Sequence, residues 1–390
     1  MQKSIGIATF LLAIFFLGSV ARAENDIVPS PNDAQRVAKA LKDDNRTMSD
    51  DIARLARFYQ GRYASAPEAA RAQLSELQRQ AAQNNWTFQP AYTSVFGGDI
   101  SKLTGLRIPS NAAELVRRQH QFAVEAQRLN AKREAPICNP QVRKFDLRRL
   151  GKISPVEDQR DCGSCWAFTA VAAYESNYLI RGGRKPNVSE QHVLDCAADS
   201  QGLEAGSCDG GWFGSVFDWM MFSPVTTRRV APYKAVKRPT CPIPTGQYMS
   251  VVWDVVDAEH VNDSSNWLPS DTALKQAICE HGALAVTVNA NDDWFAYGGG
   301  VYNINAPVDQ PTNHAVTLAG WDDGLGAWLI KNSWGSNWGD RGYMWIKYGT
   351  SKIGSFPVWV EAQVGQPNAA MIALTRRYKD SLSSTTESNK

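Results

Sequence analysis

The stretch Gln159-Arg160-Asp161-Cys162-Gly163-Ser164-Cys165-Trp166 decides the reading of this chain. Cys165 follows two small residues and opens a run in which Phe168, Val171, Ala172 and Leu179 fall on about one helical face. That spacing puts Cys165 in the first turn of a helix, where the macrodipole favours an anion. A thiol attacks only as the thiolate, so this position suits a nucleophile. The competing use of the same residue is a disulfide half or a small buried hydrophobe.

Working outward, a thiolate needs a group to hold its proton. The chain has 5 histidines: His120, His192, His260, His281 and His314. His314 stands in Asn313-His314-Ala315-Val316-Thr317-Leu318-Ala319-Gly320-Trp321, at the start of a predicted strand. Asn332 follows in Trp328-Leu329-Ile330-Lys331-Asn332-Ser333-Trp334-Gly335. A neutral amide can orient an imidazole by hydrogen bonding without adding charge, whereas a carboxylate would compete for the positive ring. Proximity of His314 to Cys165 is the observation that separates this reading from a structural histidine.

From Val142 to about Trp359 these segments resemble the papain family of cysteine proteases. The resemblance implies that Cys165 is the nucleophile, His314 the base, Asn332 its orienter and Gln159 the oxyanion donor, together with the Cys165 main-chain N–H. Trp334 resembles the residue that shields the histidine–asparagine bond from water. Cys208-Asp209-Gly210-Gly211-Trp212-Phe213 resembles the segment that pairs with the substrate backbone. By position, Gly210 and Gly211 would meet the substrate main chain, and Trp212 and Phe213 would wall the second subsite. Thr287 and Ala315 would line the other side of that subsite, and Asn313 is also expected to bind substrate. An apolar residue two positions before the cut is therefore expected. The resemblance implies peptide or protein substrates, no cofactor, no metal and a monomer.

Three other uses of these residues can be weighed. A catalytically dead relative would lack the cysteine, histidine, asparagine or glutamine, and all four are present. An acyltransferase or transglutaminase normally pairs its histidine with an aspartate, against Asn332. A metal site would need a second Cys/His pair near Cys162 and Cys165, and none follows at ligand spacing.

The chain contains 7 cysteines, so at least one thiol is left over. The resemblance implies bridges Cys162–Cys208 and Cys196–Cys241 and leaves Cys165 unpaired. The family's third bridge has no counterpart, because Tyr302 to Thr312 and Ile353 to Trp359 lack cysteine. Cys138–Cys279 is the expected replacement, which places any processing site before Cys138. Lys3, the apolar run from Ile5 to Val20 and Ala21-Arg22-Ala23 predict a cleaved signal peptide over 1–23. The mature chain is then expected in an exported location: secreted, periplasmic or in a lysosomal lumen. A formal net charge of +2 gives no reason to expect nucleic acid or an anionic membrane as partner.

Three regions separate by composition. Residues 24–137 lack cysteine and show helical periodicity at Ile52, Leu55, Ala56 and Tyr59, over Glu68 to Gln83 and over Ala112 to Arg133. Thr87 to Pro109 between them looks extended, broken at Gly97-Gly98. This region loosely resembles the inhibitory pro-domains of the cathepsin L type, but keeps their Glu/Arg/Phe/Asn helix pattern poorly: Glu114, Arg118 and Phe122 match its opening spacing but occur too late in the chain. The chain's own pro-region is thus expected to act as an inhibitor. Residues 138–361 read as a helical half, then strands at Leu284–Val288, Ala315–Gly320, Trp328–Lys331 and Tyr343–Lys347. The predicted class is α+β: a papain-like two-lobed fold, helical lobe and antiparallel barrel-like lobe, behind a helical pro-domain. The tail 362–390 is polar at its end and expected to be disordered, with one short helix conceivable over Met371 to Leu382.

Overall fold

The computed structural model describes residues 48–129, 135–199, 202–241, 246–258, 267–307, 309–366 and 369–387. The expected signal peptide lies outside them, as do residues 24–47 and 130–134 of the pro-region. Among the described residues, no helix is long and apolar enough to cross a membrane.

Among the described residues, four α-helices precede Cys138: α1 (Met48–Ala64), α2 (Glu68–Gln83), α3 (Ile100–Leu103) and α4 (Ala112–Leu129). The helical lobe is built on α5 (Cys165–Ile180), with α6 (Glu190–Cys196) and α7 (Phe213–Met220). Helix α5 is rich in alanine and apolar residues on every face, so it is buried all round and not amphipathic. Even Glu175, Ser176 and Asn177 are buried there. Asn177 earns its place by donating to the His281 carbonyl at 2.9 Å and accepting from the Ala362 amide at 2.8 Å. Helix α6 starts where Ser189 caps it, accepting from the His192 amide at 3.0 Å.

The other lobe is a sheet with helix α8 (Asp271–His281) against it. Its strands are β1 (Phe88–Pro90), β2 (Lys144–Asp146), β5 (Ser250–Val255), β6 (Leu284–Val288), β7 (Tyr297–Tyr302), β8 (His314–Asp322), β9 (Ala327–Lys331), β10 (Tyr343–Lys347) and β11 (Ser355–Ala362). Two-residue strands β3 (Gly206–Ser207) and β4 (Gly210–Gly211) pair separately. The order is β1-β7-β10-β9-β8-β6-β11-β5, with β2 on β8. The sheet is open, ending at β1 and β5, and β10 runs parallel to β7. The expected two-lobed α+β class is found: the sheet lobe is mainly antiparallel and, among the described residues, does not close into a barrel. Residues 88–90 supply β1, which lengthens the sheet at the β7 edge. Strand β8 is buried at all nine positions, as its nearly continuous apolar run requires.

The disulfides join Cys162 to Cys208, Cys196 to Cys241 and Cys138 to Cys279, and Cys165 is free and buried. The third bridge fastens Cys138 to α8, where Ile137 also donates to the Cys279 carbonyl at 2.8 Å.

The tail is helical over most of its length, where disorder with one short helix over Met371 to Leu382 was expected. Helix α9 (Ala369–Glu387) occupies most of it, and Met371, Leu374 and Tyr378 are buried. Their i, i+3, i+7 spacing makes one apolar stripe, which outweighs the polar composition of the chain end.

Candidate active site

Three local structures bring the sequence-predicted residues together. The Cys162–Cys208 bridge and the Gly163 amide, which donates to the Cys208 carbonyl at 2.8 Å, fix the loop ahead of α5. Cys165 is then the first residue of that helix. On the sheet side, β6, β8 and β9 are antiparallel neighbours, with Ala315 opposite Thr287 and Thr317 opposite Lys331. His314 therefore opens β8 beside Asn332, which follows the last residue of β9.

His314 Nε2 lies 2.9 Å from Asn332 Oδ1. That oxygen also accepts from the Ser333 amide at 2.8 Å, so it is the acceptor and Nε2 carries the proton. Nδ1 is then the bare nitrogen, and it is buried with no hydrogen-bond partner in the structure. A buried acceptor without a donor is costly unless a function uses it. Trp334 stacks on the ring at 5.1 Å between centroids, and Trp294 stands edge-on at 6.1 Å. The indoles keep water from the His314–Asn332 bond. The shielding role was read for Trp334, but Trp294 was missed, because it comes from a distant turn at Asp292–Ala296.

Burial pushes the Cys165 thiol up to about 12, against main-chain N–H groups of Ala315 and Trp166 that draw it down. The Ala315 contact places the sulfur beside the residue that follows His314. Burial likewise lowers His314 to about 4, opposed by its bond to Asn332. With the site covered, both groups favour their neutral forms.

The cover is a strap of residues 104–107 lying through the cleft. Gly105 and Leu106 donate to the Asn313 carbonyl at 3.1 and 3.0 Å. Arg107 donates to the Gly211 carbonyl, and Gly211 to the Gly105 carbonyl, both at 2.9 Å. Leu106 and Gly211 form a parallel bridge. The Leu103 carbonyl accepts from Trp334 Nε1 at 2.8 Å and from Gln159 Nε2 at 3.2 Å. The amide expected to serve an oxyanion is thus occupied by the chain's own carbonyl. Gln159 is held by Ser333, whose Oγ donates to Oε1 at 2.6 Å. Sequence reading placed an extended segment here but not the strap. Thr104-Gly105 was the available signal, a glycine where two backbones must touch.

The substrate-side residues divide. Gly210 has φ +126°, and a Cβ on it would meet the Gly105 carbonyl oxygen at 2.9 Å. Asn313 and Gly211 hold the strap by their main chains. Asn313 uses its side-chain amide on Ala290, accepting and donating at 2.8 Å. Thr287 is buried and donates to the Ser355 carbonyl at 3.2 Å. Trp212 is buried against Trp253 and Phe356, with ring centroids 6.1 and 5.6 Å away, and Phe213 is buried beside it. Phe356 was not anticipated at this wall.

A spatially assembled cysteine, histidine, asparagine and glutamine sit in a cleft between a helical and a sheet lobe. The sequence profile described as "Papain family cysteine protease" matches residues 141–360. This chain belongs to the papain family. Among curated papain-family relatives, "Digestive cysteine proteinase 2" of Homarus americanus is 30% identical over 245 residues, covering 58% of this chain and 72% of the relative. "Macrodontain-1" of Ananas macrodontes is 34% identical over 212 residues, covering 54% of this chain and 91% of the relative. "Cysteine endopeptidase Rep1" of Oryza sativa subsp. japonica is 36% identical over 208 residues, but the alignment spans only 52% of each chain. The solved structure of digestive procathepsin L 3 from Tenebrio molitor shares the fold, with a TM-score of 0.57, 22% identity and coverage of 84% of this chain and 97% of that one.

Proposed function

We propose that the chain is the zymogen of an exported cysteine endopeptidase with Cys165 as nucleophile. The observation that carries the reading is the strap. A continuous polypeptide enters the cleft past Trp334, crosses in front of Gln159 and Asn313, and leaves past Gly211. A cleft that admits chain at both ends suits internal peptide bonds better than chain termini.

In the mature enzyme, His314 Nδ1 takes the Cys165 proton and the thiolate attacks the scissile carbonyl carbon. The oxyanion accepts from the Cys165 main-chain N–H and from Gln159 Nε2 once Leu103 has left. Collapse breaks the C–N bond, and the imidazolium returns its proton to the departing amine, leaving a thioester on Cys165. Water then loses a proton to Nδ1 and attacks the thioester, which releases the acid and the thiol. Asn332 holds the ring throughout. Trp212, Phe213, Thr287 and Ala315 are assigned to the second subsite, with an apolar preference. The pro-region inhibits by occupying the cleft, and the leader 1–23 directs export. The digestive label of the lobster relative accords with a secreted enzyme.

The test is labelling of processed enzyme by an epoxide inhibitor of papain-like enzymes, with Cys165→Ala as the comparison. Labelling confined to the wild type supports the assignment, and labelling of Cys165→Ala refutes it. Cleavage of a peptide blocked at both ends separates endopeptidase from exopeptidase action.

A further inference from the structure

Helix α9 lies beyond the segment that matches the papain family, 141–360. It packs away from the cleft, on the pro-region. Tyr378 stands between Phe122 of pro-region helix α4, with ring centroids 4.6 Å apart, and Phe222 of the catalytic region, stacked at 6.2 Å. Lys379 Nζ lies 5.8 Å over the Phe222 ring. Tyr378 is 8% exposed and Phe122 5%, whereas Ile372 on the opposite face of α9 is 47% exposed. One face of α9 is therefore committed to this contact.

Helix α4 also meets the catalytic sheet at β5. Gln119 Nε2 donates to the Trp253 carbonyl at 2.9 Å, and His120 Nδ1 lies 2.7 Å from Asp254. Helix α4 is thus held between β5 and α9, and it directly follows the strap in the chain. If the pro-region leaves the cleft as one piece, α4 leaves this socket and exposes Phe122 and Tyr378 to water.

We infer that the C-terminal helix is a docking surface for the chain's own pro-region helix, remote from the cleft, which retains the pro-region and so sets how often Cys165 becomes accessible. The inference rests on the proposed inhibitory role of the pro-region. A buried aromatic pair together with its apolar burial changes an equilibrium by roughly tenfold when removed.

The experiment measures the rate at which a small epoxide labels Cys165 in the full-length zymogen, with mass spectrometry selecting unprocessed chains. Tyr378→Ala and Phe122→Ala are each expected to raise the rate roughly tenfold, and the double variant no more than the larger single effect. A chain ending at Gln366 should show the same rise, which covers the case in which Tyr378→Ala fails to fold. Wild-type rates in these variants, or a double variant equal to the product of the two singles, overturn the inference. Gly105→Ala in the strap separates the two readings. If it raises labelling while the α9 variants do not, only this inference fails. If it too labels at the wild-type rate, the inhibitory reading fails with it.

Discussion

Gly105→Ala tests the strap with a single methyl group. A Cβ at Gly105 would lie 2.0 Å from the Gly163 carbonyl oxygen, 2.5 Å from its carbon and 2.7 Å from its Cα. All three are backbone atoms of the loop that the Cys162–Cys208 bridge fixes, so no side chain can swing away. The strap must withdraw, and four main-chain bonds go with it: Gly105 and Leu106 to Asn313, Arg107 to Gly211, and Gly211 to Gly105. At about 1 kcal/mol net for each bond, their loss weakens strap docking by about 4 kcal/mol. That corresponds to roughly a thousandfold larger fraction of molecules with the cleft open. The assay is epoxide labelling of Cys165 in unprocessed zymogen, with the rate compared to wild type. Gly61→Ala in α1 is the matched control, since a Cβ there meets nothing within 4 Å. It should stabilise the helix by up to about 1 kcal/mol and leave labelling unchanged. A Gly105→Ala zymogen that labels as slowly as wild type would show that the strap does not gate the thiol.

Three further outcomes are expected. Arg228 binds Glu190 at 2.6 Å and Glu175 at 3.1 Å, and both carboxylates are almost wholly buried. Arg228→Met leaves them without their cation and should cost about 3–5 kcal/mol in denaturant unfolding of a Cys165→Ala chain; a loss under about 1 kcal/mol would contradict it. Burial raises Asp254 to about 6 despite the nearby His120. Its contribution to stability is therefore complete below the ordinary carboxylate value and is lost as pH rises through 6. Asp254→Asn should accordingly be more stable than wild type at pH 7, with the advantage shrinking toward pH 4; an advantage that grows on acidification refutes this sign. Replacing Cys138 and Cys279 by serine opens a crosslink between residues 141 apart in sequence and should cost about 2–5 kcal/mol, read as a lower unfolding midpoint. An unchanged midpoint would contradict it.

The catalytic lobes were legible because their chemistry is local in sequence. Gly163-Ser164-Cys165-Trp166 specifies a helix start, and the buried strands from Leu284 to Lys347 read directly as apolar runs. His314 and Asn332 could be picked out because each sits in a patterned stretch, although their 2.9 Å contact is a property of strand register. What the sequence hid were features made by distant surfaces. Trp294 reaches His314 from a separate turn, and β1 of the pro-region joins the catalytic sheet only because β7 leaves an edge free. The tail misled by composition. Its serines and threonines form the last turns of the helix, while Met371, Leu374 and Tyr378 earlier in it carry the packing.

Under the proposed function, the same local features serve latency and catalysis. Gly210 and Gly211 let a backbone approach from the open side, and the strap uses that approach before any substrate can. Gln159 Nε2, aimed where an oxyanion would sit, meets the Leu103 carbonyl in the meantime. With the strap in place Cys165 and His314 are fully buried, and burial favours the thiol over the thiolate and the neutral ring over the imidazolium. Covering the site therefore opposes attack twice, by excluding substrate and by removing the water that supports a charged pair. Uncovering it reverses both at once, because the bonds that hold the strap are main-chain bonds to Asn313 and Gly211, which a peptide substrate can replace.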